Sequence, residues 1–598
     1  ETRNLGLQVD LANQSAMSGD TFYATLQTIS SSEGIRDVST GEYVTDIVPG
    51  GALTGNSHTV HTSSLSVAVA SSPPSDTVVQ GSTGVESAGF SFTAGSASDI
   101  NVNAVTFTGL VNDGEDSTYT AATDGTLELD ISSLVMMARL YDGDGNLLSD
   151  DEDFTSGGST LAFSGLDWTI AAGQTEKLVV VADLFTYSIV GENDAIAFEI
   201  DAAATDVTAT DDDGRTVTPS GSDVNGGTPS VAITIKDAGT ITVAAASTVV
   251  EEAVAMAAAD NELLVSRFKI YATDEDFVVN DLRLFFGGTD SAAVEEVIIR
   301  YPATMDDADT LDGEADAPLL SNYATFEGLG LVVPKSEDDE NAVTLEAYVV
   351  TNAWGATTGA NSGDTVELDF DVDGGFDALG QSSQTTVTHG SAVTLFGNYG
   401  GSDIAGNPTA LYRYIPTFET DDSNSNCPQD NSLTSGNDVA VYCFTVTSDG
   451  PVSLYQITLD ATASLIETGT DANYLGEANG WSIANVTNTS SILGYGQWAS
   501  SSVALTFTAE EEVDGTKTYV VKAPVTCASR SVSASLDINI TPETISAHAS
   551  GVAAASATGN NIWSDQSGTA TTDGFDRTDW VSTYRFTDLP TAALNLDE

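Results

Sequence analysis

Residues 369–374 read Asp369-Phe-Asp371-Val-Asp373-Gly374, with Asp377 shortly beyond. Carboxylates at every second position, closed by a glycine that allows a sharp turn, are the spacing with which a loop wraps a hard cation such as Ca2+. The likeness to an EF-hand loop ends at its last ligand position, where Gly380 stands in place of a bidentate glutamate. The spacing also has a purely structural origin. Residues at i, i+2 and i+4 of a strand share a face, and Val366, Leu368, Phe370 and Val372 would form the apolar face opposite. A second candidate is Asp142-Gly-Asp144-Gly-Asn146, followed by an acidic run at 150–153. Asp-Gly between alternating runs is first of all a hairpin turn, to which an ion could attach. Acidic clusters at 306–316 and 211–214 are weaker cases of the same kind. Calcium is therefore the one cofactor suggested, with Asp369, Asp371, Asp373, Asp377, Asp142, Asp144 and Asn146 as its candidate ligands.

Nothing comparable points to catalysis. Of the four histidines, His58 and His61 fall in a linker, and neither they nor His389 and His548 lie in a His-Glu-x-x-His pattern or beside a Gly-x-Ser-x-Gly elbow. Paired carboxylates, the usual mark of a glycosidase, carry no information in so acidic a chain. The expectation is a protein that is not an enzyme.

With 88 acidic against 17 basic residues the formal net charge is −71. This excludes a nucleic-acid binder and argues against an anionic membrane surface. A hydrophobic content of 41%, arranged in short alternating runs, excludes wholesale disorder. Three cysteines, Cys427, Cys443 and Cys527, allow at most one internal bridge, and the sequence leaves its pairing open. No apolar run is long enough to span a bilayer. The chain starts without an initiator Met or signal peptide, so it reads as less than a full precursor. Asn-x-Ser/Thr triplets at Asn13, Asn485, Asn488 and Asn539 add a glycan to the conceivable partners.

The elements that must hold these residues are strands. Runs such as Gly89–Ala94, Ile100–Phe107, Thr126–Ile131 and Val503–Thr508 alternate apolar and polar residues, and Gly/Asp/Asn/Ser clusters interrupt them about every ten residues. Helical periodicity is scarce, its best stretch being Thr248–Glu262. The runs also recur. Leu178–Leu184 returns as Val343–Val349 and Tyr519–Val525, and at the start as Leu5–Leu11; Phe90-Ser-Phe returns as Phe268-Lys-Ile and Phe444-Thr-Val; Tyr412-Arg-Tyr returns as Tyr584-Arg-Phe. The steps, such as 268 − 90 = 178 and 444 − 268 = 176, define a repeat large enough to be a domain with its own core. The expected organisation is 1–61, the C-terminal part of one β-sandwich unit; three units at 62–236, 237–407 and 408–582; and 583–598, the opening strand of a further unit or a tail. The fold class expected is all-β, tandem Ig-like antiparallel β-sandwich domains in a linear array.

The opening Tyr412–Thr417, the Phe-x-Phe strand with its Ala94–Asp99 turn, and the run Leu166–Leu178 resemble the tandem β-sandwich modules of bacterial surface-layer and large cell-surface proteins, notably those of candidate-phyla bacteria. The resemblance implies an extracellular structural protein that self-associates into a homo-oligomer, lattice or filament, assisted by divalent cations. The alternative is the stalk of a large repeat adhesin, with a secreted polysaccharide-active enzyme a distant third. Edge strands separate the first two: an assembling protein leaves edges or apolar patches open, and a stalk covers or charges them.

Overall fold

In the computed structural model 51% of residues are in strands and 4% in helices. It describes all residues except 1–5, 11–18, 31–33, 49, 115–117, 122, 125–128, 187–193, 222–230, 249, 259–260, 337–341, 356–358, 399, 528–532, 545–551 and 571–573. Asn13, His548 and the first half of the run Thr126–Ile131 thus lie outside the described residues. Two compact units emerge, residues 1–239 with 381–384, and residues 240–380 with 385–598.

The first unit holds one sandwich. Alternation puts every second side chain of each strand inward, so that Phe90, Phe92, Phe107, Phe163, Trp168 and Leu178 meet in one core. One sheet runs Val135–Asp142, Thr175–Leu184, Val85–Ala94, Leu65–Val69. The other is built on Ile100–Asn112, which pairs with Thr160–Ile170, Asp194–Glu199 and Val207–Asp211. The closing strand Ile233–Lys236 lies between Asp194–Glu199, antiparallel, and the short Asp76–Val79, parallel.

The second unit repeats this topology twice. Its first sandwich opens with Thr240–Ala245, followed across the sheet by Asn261–Thr273, Val343–Thr351 and Val294–Tyr301. Its second opens with Thr417–Thr420 beside Gly436–Ser464, then Ser502–Val525 and Trp481–Asn485. In all three the recurrent landmarks are direct cross-strand neighbours in the core: Phe90 with Leu178, Phe268 with Leu345, Phe444 with Tyr519. The stretch that carries the best helical periodicity holds strands at Ala253–Met256 and from Asn261, and no helix among its described residues.

Closing strands recur too. Thr409–Tyr412 runs parallel to Ala253–Met256 and antiparallel to Thr365–Val366. Leu594–Asp597 pairs antiparallel with Ser535–Ile540, and its Asp597 makes a parallel bridge with Ser432. Residues 583–598, expected to open a further unit or form a tail, therefore close the third sandwich. The reason is burial: Phe586, Leu589, Leu594 and Leu596 belong to its core. At the other end, the described part of 1–61 forms two short ladders, Thr21–Phe22 with His58–Thr59 and Thr25–Leu26 with Leu53–Thr54, and adds no residue to any core cluster.

The third sandwich differs by an added hairpin, Ile562–Ser564 with Trp580–Ser582, which pairs with Gly436–Ser464 at Ser453–Gln456. Its Trp563 stacks edge-on against Tyr412 with centroids 5.0 Å apart. Along Thr409–Tyr412 the alternation is divided between two cores: Leu411 faces the second, Ala410 and Tyr412 the third. Arg585, held at φ +63°, reaches Glu252 at 3.2 Å, and the Asn407 amide donates to the Val250 carbonyl at 2.7 Å. One strand shared by two cores leaves these two sandwiches little freedom to bend.

Of the pairings left open by the sequence, the structure forms Cys427–Cys443, with Cys527 free and partly buried. The bridge closes a loop with a sequence separation of 16. Chain entropy gives a loop of this size about 3 kcal/mol. Reduction, or Cys427→Ser with Cys443→Ser, is expected to lower the unfolding free energy of the third sandwich by about that amount in urea titrations, and to leave the first sandwich unchanged.

Candidate functional site

Leu368–Phe370 pairs antiparallel with Phe277–Phe286, which sets Phe285 opposite Asp369. One step along, the Asp371 amide donates to the Arg283 carbonyl at 3.1 Å, bringing Arg283 alongside Asp371. The Asp371 side chain is 4% exposed, and its Oδ2 accepts from Arg283 Nε and Nη2, both at 2.5 Å. Its Oδ1 accepts the Asp373 amide at 3.0 Å. The guanidinium also lies 4.3 Å from the centre of the Tyr323 ring. Gly374 and Gly375 are glycines because of this arginine: a Cβ at Gly374 would come within 1.9 Å of Arg283 Nη2, and one at Gly375 within 2.6 Å of Arg283 Cβ. The Asp-x-Asp-x-Asp-Gly spacing thus cradles a cation, and that cation is the side chain of Arg283.

The other carboxylates there do not converge. Asp369 Oδ1 accepts the Gly406 amide at 2.8 Å, Asp377 Oδ1 accepts from Asn280 Nδ2 at 3.2 Å, and Asp373 is exposed. Among the described residues no group of three or more His, Cys, Asp or Glu side chains is arranged to hold a metal ion. The donor set does not fit a preformed calcium cage.

The Asp142 candidate is a turn that satisfies itself. Asp142 Oδ1 accepts the amides of Asp144 at 3.0 Å and Asn146 at 2.8 Å, and its Oδ2 accepts Asn146 Nδ2. Gly145, at φ +84°, donates to the Asp142 carbonyl. The 211–214 cluster has the same design: Asp211 Oδ1 accepts the amides of Asp213 and Arg215, and Gly214 sits at φ +76°. An aspartate opening a tight turn, with glycine in the left-handed position, needs no ion.

Trp168 packs in the first core, its ring centroid 5.1 Å from that of Phe92. Trp481, Trp563 and Trp580 are fully buried. They serve packing rather than a sugar-stacking surface. Asn485 Oδ1 accepts both the amide and the hydroxyl of Thr487, which occupies this acceptor triplet in its own turn.

The outer strands are covered. Leu65–Val69 exchanges hydrogen bonds with Ser220, Val135–Asp142 with Glu152, Thr240–Ala245 with Leu395 and Gly397, and Asp597 with Asn431 and Leu433. Gly313–Ala317 carries Glu314 and Asp316 along its length. Other outer strands, such as Thr216–Val217 and Thr386–Thr388, are very short. Coverage, charge and shortness are the three ordinary ways to prevent edge-to-edge pairing. Of the fourteen described large apolar side chains that stand exposed, eight lie in the first segment, Leu7, Val9, Tyr23, Leu26, Ile35, Val38, Val48 and Leu53, and the other six are scattered singly from Leu147 to Tyr495.

No family model matches the chain, and no curated protein sequence does. Solved structures similar to it include the seventh ScaB type I cohesin of Pseudobacteroides cellulosolvens, at 11% identity over 29% of this chain and 92% of that one, TM-score 0.16. A chain described as a membrane-anchored protein of Corynebacterium diphtheriae matches at 12% identity over 88% and 98%, TM-score 0.16. BcpA, the major pilin subunit of Bacillus cereus, matches at 10% identity over 81% and 97%, TM-score 0.15. The fold assignment rests on the strands and cores described above. No helix among the described residues is long and apolar enough to cross a membrane.

The carboxyls divide into two groups with opposite pH behaviour. Burial pushes Asp364, Glu367, Asp369, Asp565 and Asp588 up from the usual carboxylate range. Against the cost of desolvation, turn hydrogen bonds hold Asp142 and Asp211 below it, and the Ser39 hydroxyl does the same for exposed Asp37. A raised folded-state pKa means that ionisation opposes folding at neutral pH, and this penalty is relieved as pH falls through the folded value. A lowered one contributes stability above the unfolded value that is lost as pH falls further. Melting temperature is therefore expected to rise from pH 7 to about pH 5 and to fall below about pH 4. Calorimetry across that range checks it; a monotonic fall from neutrality would contradict it.

Proposed function

We propose that this chain is an extracellular structural protein of a bacterial cell surface, whose consecutive sandwiches act as a stalk or spacer rather than as lattice-forming subunits. The observation that carries the reading is the treatment of the outer strands, which are bonded to loops of their own sandwich, charged, or very short. The strand shared by the second and third cores supports stiffness, and the disulfide suits an oxidising exterior. A surface of net charge −71 repels its own copies and stays soluble. Calcium enters as diffuse counter-charge over exposed carboxylates rather than as a ligated ion.

Self-assembly into a surface layer or filament is the second reading, favoured by the apolar side chains exposed between Leu7 and Leu53. Location is tested on intact cells of the producing organism with an antibody to the third sandwich and brief protease treatment. Labelling that protease abolishes supports a surface protein; labelling only after lysis rejects it.

A further inference from the structure

The added hairpin of the third sandwich covers a polar face that no repeat landmark predicts. Three neighbouring strands place Ser453 directly between Glu512 and Ser564. Ser453 is 0% exposed, and its hydroxyl donates a short hydrogen bond to Glu510 Oε1. Arg577 Nε also donates to that oxygen at 3.2 Å, which fixes the Glu510 carboxyl against the Ser453 hydroxyl. On the other side of the same hydroxyl lies the carboxamide of Gln566, its Nε2 3.0 Å from Ser453 Oγ and 3.2 Å from Glu512 Oε2. Gln566 is held there at φ +56°, a strained value for a non-glycine residue, with its amide donating to Ser564 Oγ at 3.0 Å.

A buried hydroxyl bonded to a carboxylate is an activated nucleophile, and the carboxamide beside it is an electrophile whose carbon is one bond beyond an atom already in contact. We propose that Ser453 and Gln566 are the two ends of a self-formed ester cross-link. Glu510 takes the hydroxyl proton as Ser453 Oγ attacks Gln566 Cδ. The C–Nε2 bond then breaks, and the nitrogen leaves as ammonia, carrying the proton returned by Glu510. One alcohol and one primary amide become one ester and one ammonia, with no oxidant and no co-reactant. Fixed proximity supplies the rate of this single turnover, and burial of Ser453 protects the ester from water. The bond would join positions with a sequence separation of 113 and clamp the hairpin to Gly436–Ser464.

Intact-mass measurement of the whole purified chain, followed by peptide mapping, tests this. The expected result is a mass short by one ammonia after allowance for the disulfide, with the peptide of Ser453 joined to that of Gln566 and the two separated by hydroxylamine. Ser453→Ala and Glu510→Gln are each expected to restore the full mass. A wild-type chain of full mass with separate peptides overturns the proposal, whatever the variants do. Loss of ammonia mapped to another site overturns it equally, and a cross-link that persists in Glu510→Gln overturns the part given to Glu510.

Discussion

Replacing Arg283 with alanine is expected to lower the unfolding free energy of the second sandwich by about 3–5 kcal/mol. The cause is less the loss of attraction than what is left behind. Asp371, with its side chain 4% exposed, loses both donors to Oδ2 and stays as a buried, uncompensated charge between Phe370 and Val372. Arg283→Ala combined with Asp371→Asn removes that charge and is expected to recover more than half of the loss, a non-additivity that marks a direct pair. Urea titrations of the wild type, the two single variants and the double variant measure it. The arginine also bears on the calcium reading of Asp371. In the wild type its guanidinium takes the Asp371 carboxylate, so calcium and magnesium chloride are expected to stabilise equally, by screening alone. If calcium stabilises the wild type well beyond magnesium at the same ionic strength, the cradle has been misassigned.

The second large effect is expected at Trp563. This side chain is fully buried, touches Tyr412 and Phe586 with centroids 5.0 and 5.5 Å away, and donates from Nε1 to the Ser582 carbonyl at 3.2 Å. Truncation to alanine is expected to cost about 3–5 kcal/mol from lost burial and the cavity it leaves. It also cuts one of the contacts through which the added hairpin holds the closing strand of the second sandwich, the other being the Arg413 amide to Asp565 Oδ2 at 2.8 Å. The wild-type second and third sandwiches are expected to melt as one cooperative transition, and Trp563→Ala to split it in two. Two separate transitions already present in the wild type would show that the shared strand does not couple them.

Much of the fold was legible because it rests on period-two alternation, which a sequence displays directly. The landmarks Phe90 and Leu178 were visible as recurrent strings, and the structure makes them cross-strand neighbours. The alignment of Leu178 with Val343 was off by two, since Leu345 is the residue facing Phe268. A slip of two keeps every side chain on its own face, so the pattern could not expose it. The end segment was misread for a related reason. Tyr584-Arg-Phe resembles Tyr412-Arg-Tyr, but what places 583–598 is the burial of Leu594 and Leu596, a fact of tertiary packing.

The acidic motifs were the least legible part. Asp-x-Asp-x-Asp-Gly looks the same whether the cation it meets is an ion or a guanidinium, and Arg283 is 88 residues away in the chain. A signal did exist. In a chain with only 17 basic residues, an arginine on the face opposite two core leucines, Leu282-Arg283-Leu284, is a natural partner for an acid on a neighbouring strand, though the pattern does not say which acid. The Ser453–Gln566 contact had no such signal, since serine and glutamine are unremarkable until three strands and a hairpin bring them together.

The central claim, that covered and charged outer strands make this a non-assembling stalk, is tested most directly by sedimentation velocity and negative-stain electron microscopy of the purified chain, in millimolar calcium and again in chelator. The account predicts separate, monomeric particles under both conditions. Ordered sheets or filaments in calcium that dissolve on chelation would contradict it and make the protein a cation-cemented surface layer.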